Sequence, residues 1–181
     1  MRRIVVAAVY TGALTLANAG VAQLADAPLQ GDMRKLTVHE TPMETSATPF
    51  TLEDGGEATL ADFAGTPVVL NLWATWCAPC REEMPTLEAL AEEAGDDLTV
   101  LTVATGRNSP EGMAAFFDEI GVENLPLHTD PRQAFARDLG VLGLPVTILI
   151  DAEGQEVARL QGEADWSSPD AAAIIAALTA D

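Results

Sequence analysis

Cysteine and histidine are scarce in this chain, which has two of each among 181 residues. A structural zinc site needs about four ligands, and Cys77 and Cys80 have no second Cys-x-x-Cys pair to join. A zinc half-site at these two residues is therefore disfavoured, although it stays an alternative. A static disulfide between them is another alternative, but a bond that closes so short a loop restrains the unfolded chain very little.

Basic residues are also few, since nine Lys and Arg stand against 28 Asp and Glu, giving a formal net charge of −19. Such a surface repels nucleic acid and anionic lipid head groups, so we expect no nucleic-acid partner. Solubility is the simplest role of this charge, and attraction of basic protein partners is an alternative. The length and the 48% apolar content suit one domain with an ordinary core.

The first residues have the pattern of an export signal. Met1-Arg2-Arg3 is basic, residues 4–17 are mostly apolar, and Ala17-Asn18-Ala19 fits a small-x-small cleavage site. We therefore predict a signal peptide over residues 1–19, with an uncleaved membrane anchor as the alternative. In both cases the remaining chain is predicted to be periplasmic, either free or held at the inner membrane.

Hydrophobic periodicity predicts how the rest of the chain folds. We expect a short helix and a polar linker over residues 20–48, with His39 solvated, and a folded domain over residues 49–181 that begins with a β-hairpin. In the helix after the cysteines, Glu88 is expected to face water. Buried strands are predicted at residues 68–72, 98–104 and 146–150, a hairpin partner at 155–160, and helices at about 78–93, 110–120, 131–139 and 168–178. This order predicts an α/β fold with a central mixed sheet flanked by helices.

The chain is organised around Trp76-Cys77-Ala78-Pro79-Cys80, where a buried strand becomes a helix. The first turn of a helix has unpaired N–H groups and a positive dipole end, and both favour the reactive thiolate form of cysteine. We predict that Cys77 is the exposed attacking thiol and that Cys80, one turn further in, is the partly buried resolving thiol. Redox chemistry is therefore favoured over a metal site or a static disulfide.

The run over residues 70–85, centred on Trp76-Cys77-Ala78-Pro79-Cys80, resembles the thioredoxin superfamily, and more specifically its exported TlpA/ResA-type thiol-disulfide oxidoreductases. A Gly-Leu-Pro-Val-Thr run at residues 143–147 follows at a family-like separation. The resemblance implies a thioredoxin-like fold with an N-terminal β-hairpin extension. It also implies no cofactor beyond a redox-active Cys77–Cys80 disulfide, and no metal.

The resemblance further implies roles for individual residues. Cys77 would be the attacking thiolate and Cys80 the resolving thiol, with Pro145 as a cis-proline packed against them. Glu83 would tune the thiol pKa values and relay a proton to Cys80; the alternative for Glu83 is an ordinary exposed helix glutamate. Trp76 would shield the disulfide. The residues implied to contact substrate are Trp76, Pro79 and Leu144.

The implied activity is the reduction of protein disulfides, in which Cys77 forms a mixed disulfide and Cys80 then releases the reduced substrate. The implied substrates are the Cys-x-x-Cys-His site of apocytochrome c, which is slightly preferred, or the cysteines of copper-delivery proteins used in respiratory oxidase assembly. The implied electron donor is a membrane thiol-transfer protein, and we expect the protein itself to be a monomer. A dithiol oxidant and a metal-binding chaperone are the alternatives. His128 is predicted to have a structural role.

Overall fold

The computed structural model describes residues 24–180, which form an eight-stranded mixed sheet. The strands are β1 (Leu36–Glu44), β2 (Phe50–Thr51), β3 (Glu57–Ala58), β4 (Val68–Trp73), β5 (Thr99–Thr105), β6 (His128–Asp130), β7 (Val146–Ile150) and β8 (Gln155–Gln161). Across the sheet they lie in the order β1-β8-β7-β4-β5-β6-β2-β3. The helices are α1 (Ala78–Ala94), α2 (Pro110–Ile120), α3 (Ala134–Asp138) and α4 (Pro169–Leu178), with 3₁₀ turns at Gly31–Lys35, Leu60–Phe63 and Gly95–Asp97.

Strands β4, β5 and β7 form the centre of the sheet. β4 runs parallel to β5, with Leu70 opposite Leu101, and antiparallel to β7, with Leu70 opposite Ile148. Every residue of β4 is buried, because side chains from other elements cover both faces of the sheet, and this explains its continuous apolar run. The three central strands predicted from the sequence are confirmed, and so is the mixed α/β fold.

Helices cover both faces of the sheet. On one face α1, α2 and α4 contribute Leu87, Phe116 and Ile174 to a single buried cluster, and on the other face α3 contributes Phe135 to a second. The N-terminus of α2 is capped by Ser109, whose hydroxyl accepts a hydrogen bond from a backbone N–H in the first turn. The two cysteines lie where the central strand β4 is followed by α1.

The polar linker predicted within residues 20–48 is wrong at residues 36–44, because these residues form strand β1. This strand pairs antiparallel with β8 at one edge of the sheet, and its register shifts between Val38 and Met43, around Pro42. A proline is tolerated at a sheet edge because its missing N–H would face solvent there. The strand forms by completing the hydrogen bonds of β8, so its own polar sequence carries little strand signal.

His39 was predicted to be solvated, and this prediction is wrong. Its Nε2 atom lies 2.7 Å from Oε1 of Glu156 on β8, and the histidine side chain is 15% exposed. The guanidinium of Arg159 donates to both oxygens of the same carboxylate, at 2.6 Å each. His39 therefore belongs to a partly buried polar cluster that ties β1 to β8.

Glu88 on α1 is buried rather than facing water. Its Oε1 accepts hydrogen bonds from the backbone N–H groups of Glu123 and Asn124 at 3.0 and 2.8 Å, and its Oε2 accepts one from Leu125 N at 3.1 Å. The carboxylate thus satisfies backbone donors of the loop that follows α2, and it fixes this loop against α1.

The predicted N-terminal hairpin is confirmed as β2 and β3, in which Phe50 lies opposite Ala58. The hairpin extends the sheet beyond β6, where Thr51 pairs with Thr129. Within residues 24–180, no helix is long and apolar enough to cross a membrane. The signal peptide or anchor predicted over residues 1–19 lies outside the described residues.

Candidate active site

The two cysteines form a disulfide at the start of α1. Cys77 is the N-cap residue, with extended backbone angles, and Cys80 lies in the first turn. The sulfur atoms are 2.03 Å apart and the two Cα atoms are 5.3 Å apart. The helix dipole and the unpaired N–H groups of this turn favour a thiolate at Cys77 when the bond is reduced.

Cys77 is less exposed than predicted. It is 5% exposed and Cys80 is fully buried, and both belong to the large apolar cluster beneath α1. The prediction of an exposed Cys77 is wrong because its side chain is bonded to the buried Cys80 and belongs to the apolar cluster beneath the helix. Cys77 is nevertheless the less buried of the two cysteines, as predicted, and only its side chain reaches solvent. A partner must therefore approach the disulfide at Cys77.

An exposed apolar surface lies beside the disulfide. Trp76 is 64% exposed and Leu142 is 97% exposed. Trp76, Leu142 and Leu144 line the same cleft, which has a volume of about 410 Å³, together with Gln133 and Arg137. Exposed apolar side chains of this size are a common mark of a contact surface for another molecule.

The Leu144–Pro145 peptide bond is cis, as predicted. Pro145 immediately precedes β7, where Val146 lies opposite Leu72 of β4. This register brings Pro145 to the end of β4 from which the cysteine loop emerges. Pro79, predicted to contact substrate, is half-buried in the first turn of α1.

Glu83, one turn beyond Cys80 on α1, is 1% exposed. Its Oε1 accepts hydrogen bonds from Trp166 Nε1 at 2.8 Å and from Ala164 N at 3.2 Å. Its Oε2 accepts one from Asn71 Nδ2 at 2.9 Å. The alternative of an ordinary exposed helix glutamate is therefore wrong, and such a glutamate is instead its neighbour Glu82.

Burial raises the pKa of the Glu83 carboxyl to about 7, from an ordinary value of 4.5. Removal from water penalises the charged form, and the hydrogen bonds from Trp166, Asn71 and Ala164 only partly oppose this effect. A carboxyl group with a pKa near 7 can both take up and release a proton at neutral pH. The group is therefore suited to exchanging a proton with a thiol nearby.

The match to known proteins agrees with this geometry. The family model described as Redoxin matches residues 42–175, which include both cysteines and Pro145.

This chain belongs to the Redoxin family.

Curated relatives of this Redoxin protein have names that refer to thiol chemistry. The chain is 34% identical over 114 residues to the thiol:disulfide interchange protein HelX of Rhodobacter capsulatus, covering 63% of this chain and 58% of HelX. It is 28% identical over 110 residues to the thiol-disulfide oxidoreductase ResA of Bacillus thuringiensis, covering 61% of this chain and 63% of ResA. The match thus spans about three fifths of these relatives, and the resemblance to the ResA type is confirmed.

The fold of this Redoxin protein is similar to that of solved structures. A DsbF homologue from Corynebacterium diphtheriae is 26% identical and superimposes with a TM-score of 0.67, covering 80% of this chain and 93% of the other. The thioredoxin-like fold implied by the sequence resemblance is thereby confirmed.

Sequence reasoning missed the polar partners of Glu83 in this Redoxin protein. Asn71 lies on β4 and is fully buried, and its Nδ2 donates to Thr147 Oγ1 at 2.9 Å as well as to Glu83. Its Oδ1 has no hydrogen-bond partner among residues 24–180. The position of Asn71, a polar residue within a continuous apolar strand, could have indicated a buried hydrogen-bond partner. Trp166 lies in the loop before α4, where no sequence pattern indicated its contact with Glu83.

His128, for which a structural role was predicted, contacts the N-terminal hairpin. Its Nδ1 accepts a hydrogen bond from Glu53 N at 3.0 Å, and its ring lies 5.8 Å from that of Phe50. Burial lowers its pKa, so the neutral ring that this hydrogen bond requires is favoured. Across the described part of this Redoxin chain, no group of three or more His, Cys, Asp or Glu is arranged to hold a metal ion.

Proposed function

We propose that this protein is a periplasmic thiol-disulfide oxidoreductase that reduces protein disulfides with Cys77 and Cys80. The observation that carries the proposal is the placement of the Cys77–Cys80 disulfide at the first turn of α1. There the attacking sulfur would be activated by the helix, and the resolving sulfur is buried one turn behind it. The names of the curated relatives, an interchange protein and an oxidoreductase, support the same chemistry.

The reaction starts from the reduced dithiol. The Cys77 thiolate attacks one sulfur of a substrate disulfide, forming a mixed disulfide and releasing the other substrate sulfur as a thiolate. Cys80 loses its proton and attacks the Cys77 sulfur, which forms the Cys77–Cys80 bond and releases the second substrate thiolate. Two electrons pass from the protein to the substrate, and the protein ends in the disulfide form described above.

Glu83 is proposed to take the proton that Cys80 must lose. Residues three apart on a helix are neighbours, about 5–6 Å between Cβ atoms, and a pKa of about 7 keeps a share of Glu83 ionised at neutral pH. Replacing Glu83 by Gln should move the titration of the Cys80 thiol in the reduced protein, whereas Glu82→Gln, a matched change on the exposed face of α1, should not. Thiol titration curves that are identical in wild type and Glu83→Gln would refute the proton-relay role.

The substrate is proposed to bind across the first turn of α1 and the loop before β7. Trp76 and Leu144 line one cleft there, and Pro145 joins that loop to β7. An extended substrate segment that crosses this surface would bring its disulfide to Cys77, the cysteine that reaches solvent. Pro79, half-buried beside Cys77, would form the opposite side of the contact.

We propose apocytochrome c, with its Cys-x-x-Cys-His site, as the preferred substrate and copper-delivery proteins as the alternative. A membrane thiol-transfer protein would re-reduce the Cys77–Cys80 disulfide, since the periplasm is kept oxidising. Trapping can identify the substrate: Cys80→Ser should accumulate a mixed disulfide with its substrate through Cys77, and Cys77→Ser, the matched control, should accumulate none. Equal trapping by the two variants would refute the assigned roles of the cysteines.

The reduction potential of the Cys77–Cys80 pair tests the direction of electron flow. Equilibration of the protein in dithiothreitol or glutathione buffers should give a value near or below that of thioredoxin, about −270 mV, as expected for a reductant. A value near about −120 mV, typical of strong oxidants, would overturn the reductase proposal in favour of a disulfide donor. The accompanying activity assay is the reduction of insulin by the dithiol form.

A further inference from the structure

Positive charge is distributed unevenly in this acidic protein. Seven of its nine basic residues lie in the described part of the chain. Lys35, Arg81 and Arg159 each form an ion pair with a carboxylate. Within residues 24–180 the remaining four have no carboxylate partner. They are Arg34, Arg107, Arg132 and Arg137.

Three of these four arginines lie on one side of the disulfide, the side of β5 and β6, at the end of the sheet that holds it. β4, β5 and β6 are parallel, so their carboxyl ends lie at the same end of the sheet. The cysteine loop follows β4, Arg107 follows β5 and Arg132 follows β6. Arg34, on the 3₁₀ turn that precedes β1, lies at the same end of the sheet but on the opposite side of the cysteine loop, because β1 is three strands from β4 in the order of the sheet. Arg107, Arg132 and Arg137 together form the arginine cluster.

The loops that carry Arg107 and Arg132 are joined to the cysteine loop. The backbone N–H of Thr75 and its hydroxyl both donate to Asn108 Oδ1 at 2.9 Å, which fixes the residue next to Arg107. The backbone N–H of Gly106 donates to Asp130 O at 3.0 Å, which ties the loop after β5 to the end of β6. The backbone next to Arg107 and Arg132 is therefore held in place relative to the cysteine loop.

Arg137 is the member of the cluster that borders the apolar surface. It lines the same cleft as Trp76 and Leu142. Its Nη2 atom donates to Arg132 O at 2.7 Å, which leaves other N–H groups of the guanidinium without a protein acceptor among the described residues. An arginine fork held in this way matches the planar geometry of a carboxylate.

This arrangement is unusual for a chain in which acidic residues outnumber basic ones by 28 to nine. Arg137 shares a cleft with the exposed Trp76, and Arg107 and Arg132 follow the two strands next to β4 on the same side. A carboxylate on a bound partner would neutralise the cluster, and the apolar walls of the cleft would strengthen the attraction by displacing water. The chemistry at this end of the sheet is therefore complementary to a segment that is both apolar and acidic.

We propose that the protein selects polypeptide substrates in which an Asp or Glu side chain lies within a few residues of the reactive cysteine. The carboxylate is held by Arg137, with Arg107 and Arg132 adding to the positive field, and an apolar neighbour packs between Trp76 and Leu142. The inference rests on the proposed oxidoreductase function, because it assigns a substrate class to that same site.

The test is a coupling measurement with two disulfide-bonded peptides. They share one sequence with a Leu near the reactive cysteine, and they differ only in a flanking Glu or Gln. Their second-order rate constants for oxidising the reduced protein are measured with wild type and with Arg137→Gln. This design cancels the general repulsion between an acidic peptide and an acidic protein, because both protein forms share it.

In the wild-type protein the ratio of the Glu-peptide rate to the Gln-peptide rate should be about three- to tenfold higher than in Arg137→Gln. Added salt should reduce this difference, since the cluster is exposed. Arg34→Gln, the matched loss of an unpaired arginine that does not line the cleft and lies on the opposite side of the cysteine loop, should keep the wild-type ratio. A ratio that is the same in wild type and Arg137→Gln overturns the inference, and so does an equal change in Arg34→Gln.

The same experiment separates this inference from the function on which it rests. If wild type reduces insulin and both peptides without a dependence on Arg137, the substrate class is wrong and the oxidoreductase function stands. If wild type reduces neither insulin nor any peptide, the proposed function is overturned and the inference with it. Urea denaturation of each variant confirms that the compared proteins are folded.

Discussion

The buried carboxyl of Glu83 should make the stability of the protein depend on pH in a defined direction. The folded protein holds a proton on Glu83 at pH values where the unfolded chain has already released it, because the pKa is about 7 in the fold and 4.5 ordinarily. The stability associated with this proton is complete below the ordinary pKa and is lost as the pH rises through about 7. Replacing Glu83 by Gln removes the ionisation and therefore this loss.

The size of the effect follows from the two pKa values. At about 1.4 kcal/mol per pKa unit, the difference between 4.5 and about 7 corresponds to about 3 kcal/mol of unfolding free energy. Between about pH 5 and about pH 8.5, some 2.5 kcal/mol of this should be observed. The Gln side chain has the shape of Glu and keeps an Oε1 acceptor for Trp166 and Ala164. Its Nε2 donor replaces the oxygen that faces Asn71 Nδ2, and a turn of the Asn71 amide brings Oδ1, which has no partner among the described residues, to face it.

Urea denaturation of the oxidised protein at both pH values measures the effect. The chain has only two cysteines, so disulfides cannot reshuffle at alkaline pH. The advantage of Glu83→Gln over wild type should grow by about 2.5 kcal/mol from the lower to the higher pH, and Glu82→Gln should show no such trend. If the advantage of Glu83→Gln is constant, or shrinks as the pH rises, the reasoning that burial raises the Glu83 pKa is refuted.

Three further substitutions each remove hydrogen bonds described above. Trp166→Phe removes the indole N–H that lowers the Glu83 pKa, so the midpoint of the pH effect should move above about 7; an unchanged midpoint contradicts this. Glu88→Ala leaves three backbone N–H groups without their acceptor and should cost about 2–4 kcal/mol in urea denaturation, against less than about 0.5 kcal/mol for the exposed Glu93→Ala. Ser109→Ala removes a helix cap and should cost about 1 kcal/mol; a thermal unfolding midpoint equal to that of wild type would count against it.

The parts of the fold that were predictable have local signals. The run over β4 is continuously apolar because the strand is covered on both faces, and the cysteines mark the start of α1. Pro145 immediately precedes an apolar strand. The resemblance to the TlpA/ResA type predicted that its peptide bond is cis, and the bond is cis. In each case the residues that determine the structure are adjacent in the sequence.

The parts that were not predictable depend on residues distant in sequence. The helical spacing of Glu88 predicts a surface glutamate. Glu88 is instead buried, because a loop 35 or more residues away in sequence brings backbone N–H groups to its carboxylate. Trp166 is 83 residues from Glu83, to which it donates. β1 forms because β8 offers an open edge. Tertiary contacts override local pattern at each of these positions.

The pairing of β1 with β8 limits where the chain can be shortened. A protein cut to begin at Pro49 would lose β1 and leave the backbone N–H and C=O groups along one side of β8 open. It would also lose Leu24, Met33 and Leu36, whose side chains lie in the main apolar cluster. An unpaired strand edge recruits strands from other molecules, so such a fragment should self-associate, whereas one that begins at Leu24 keeps the edge closed.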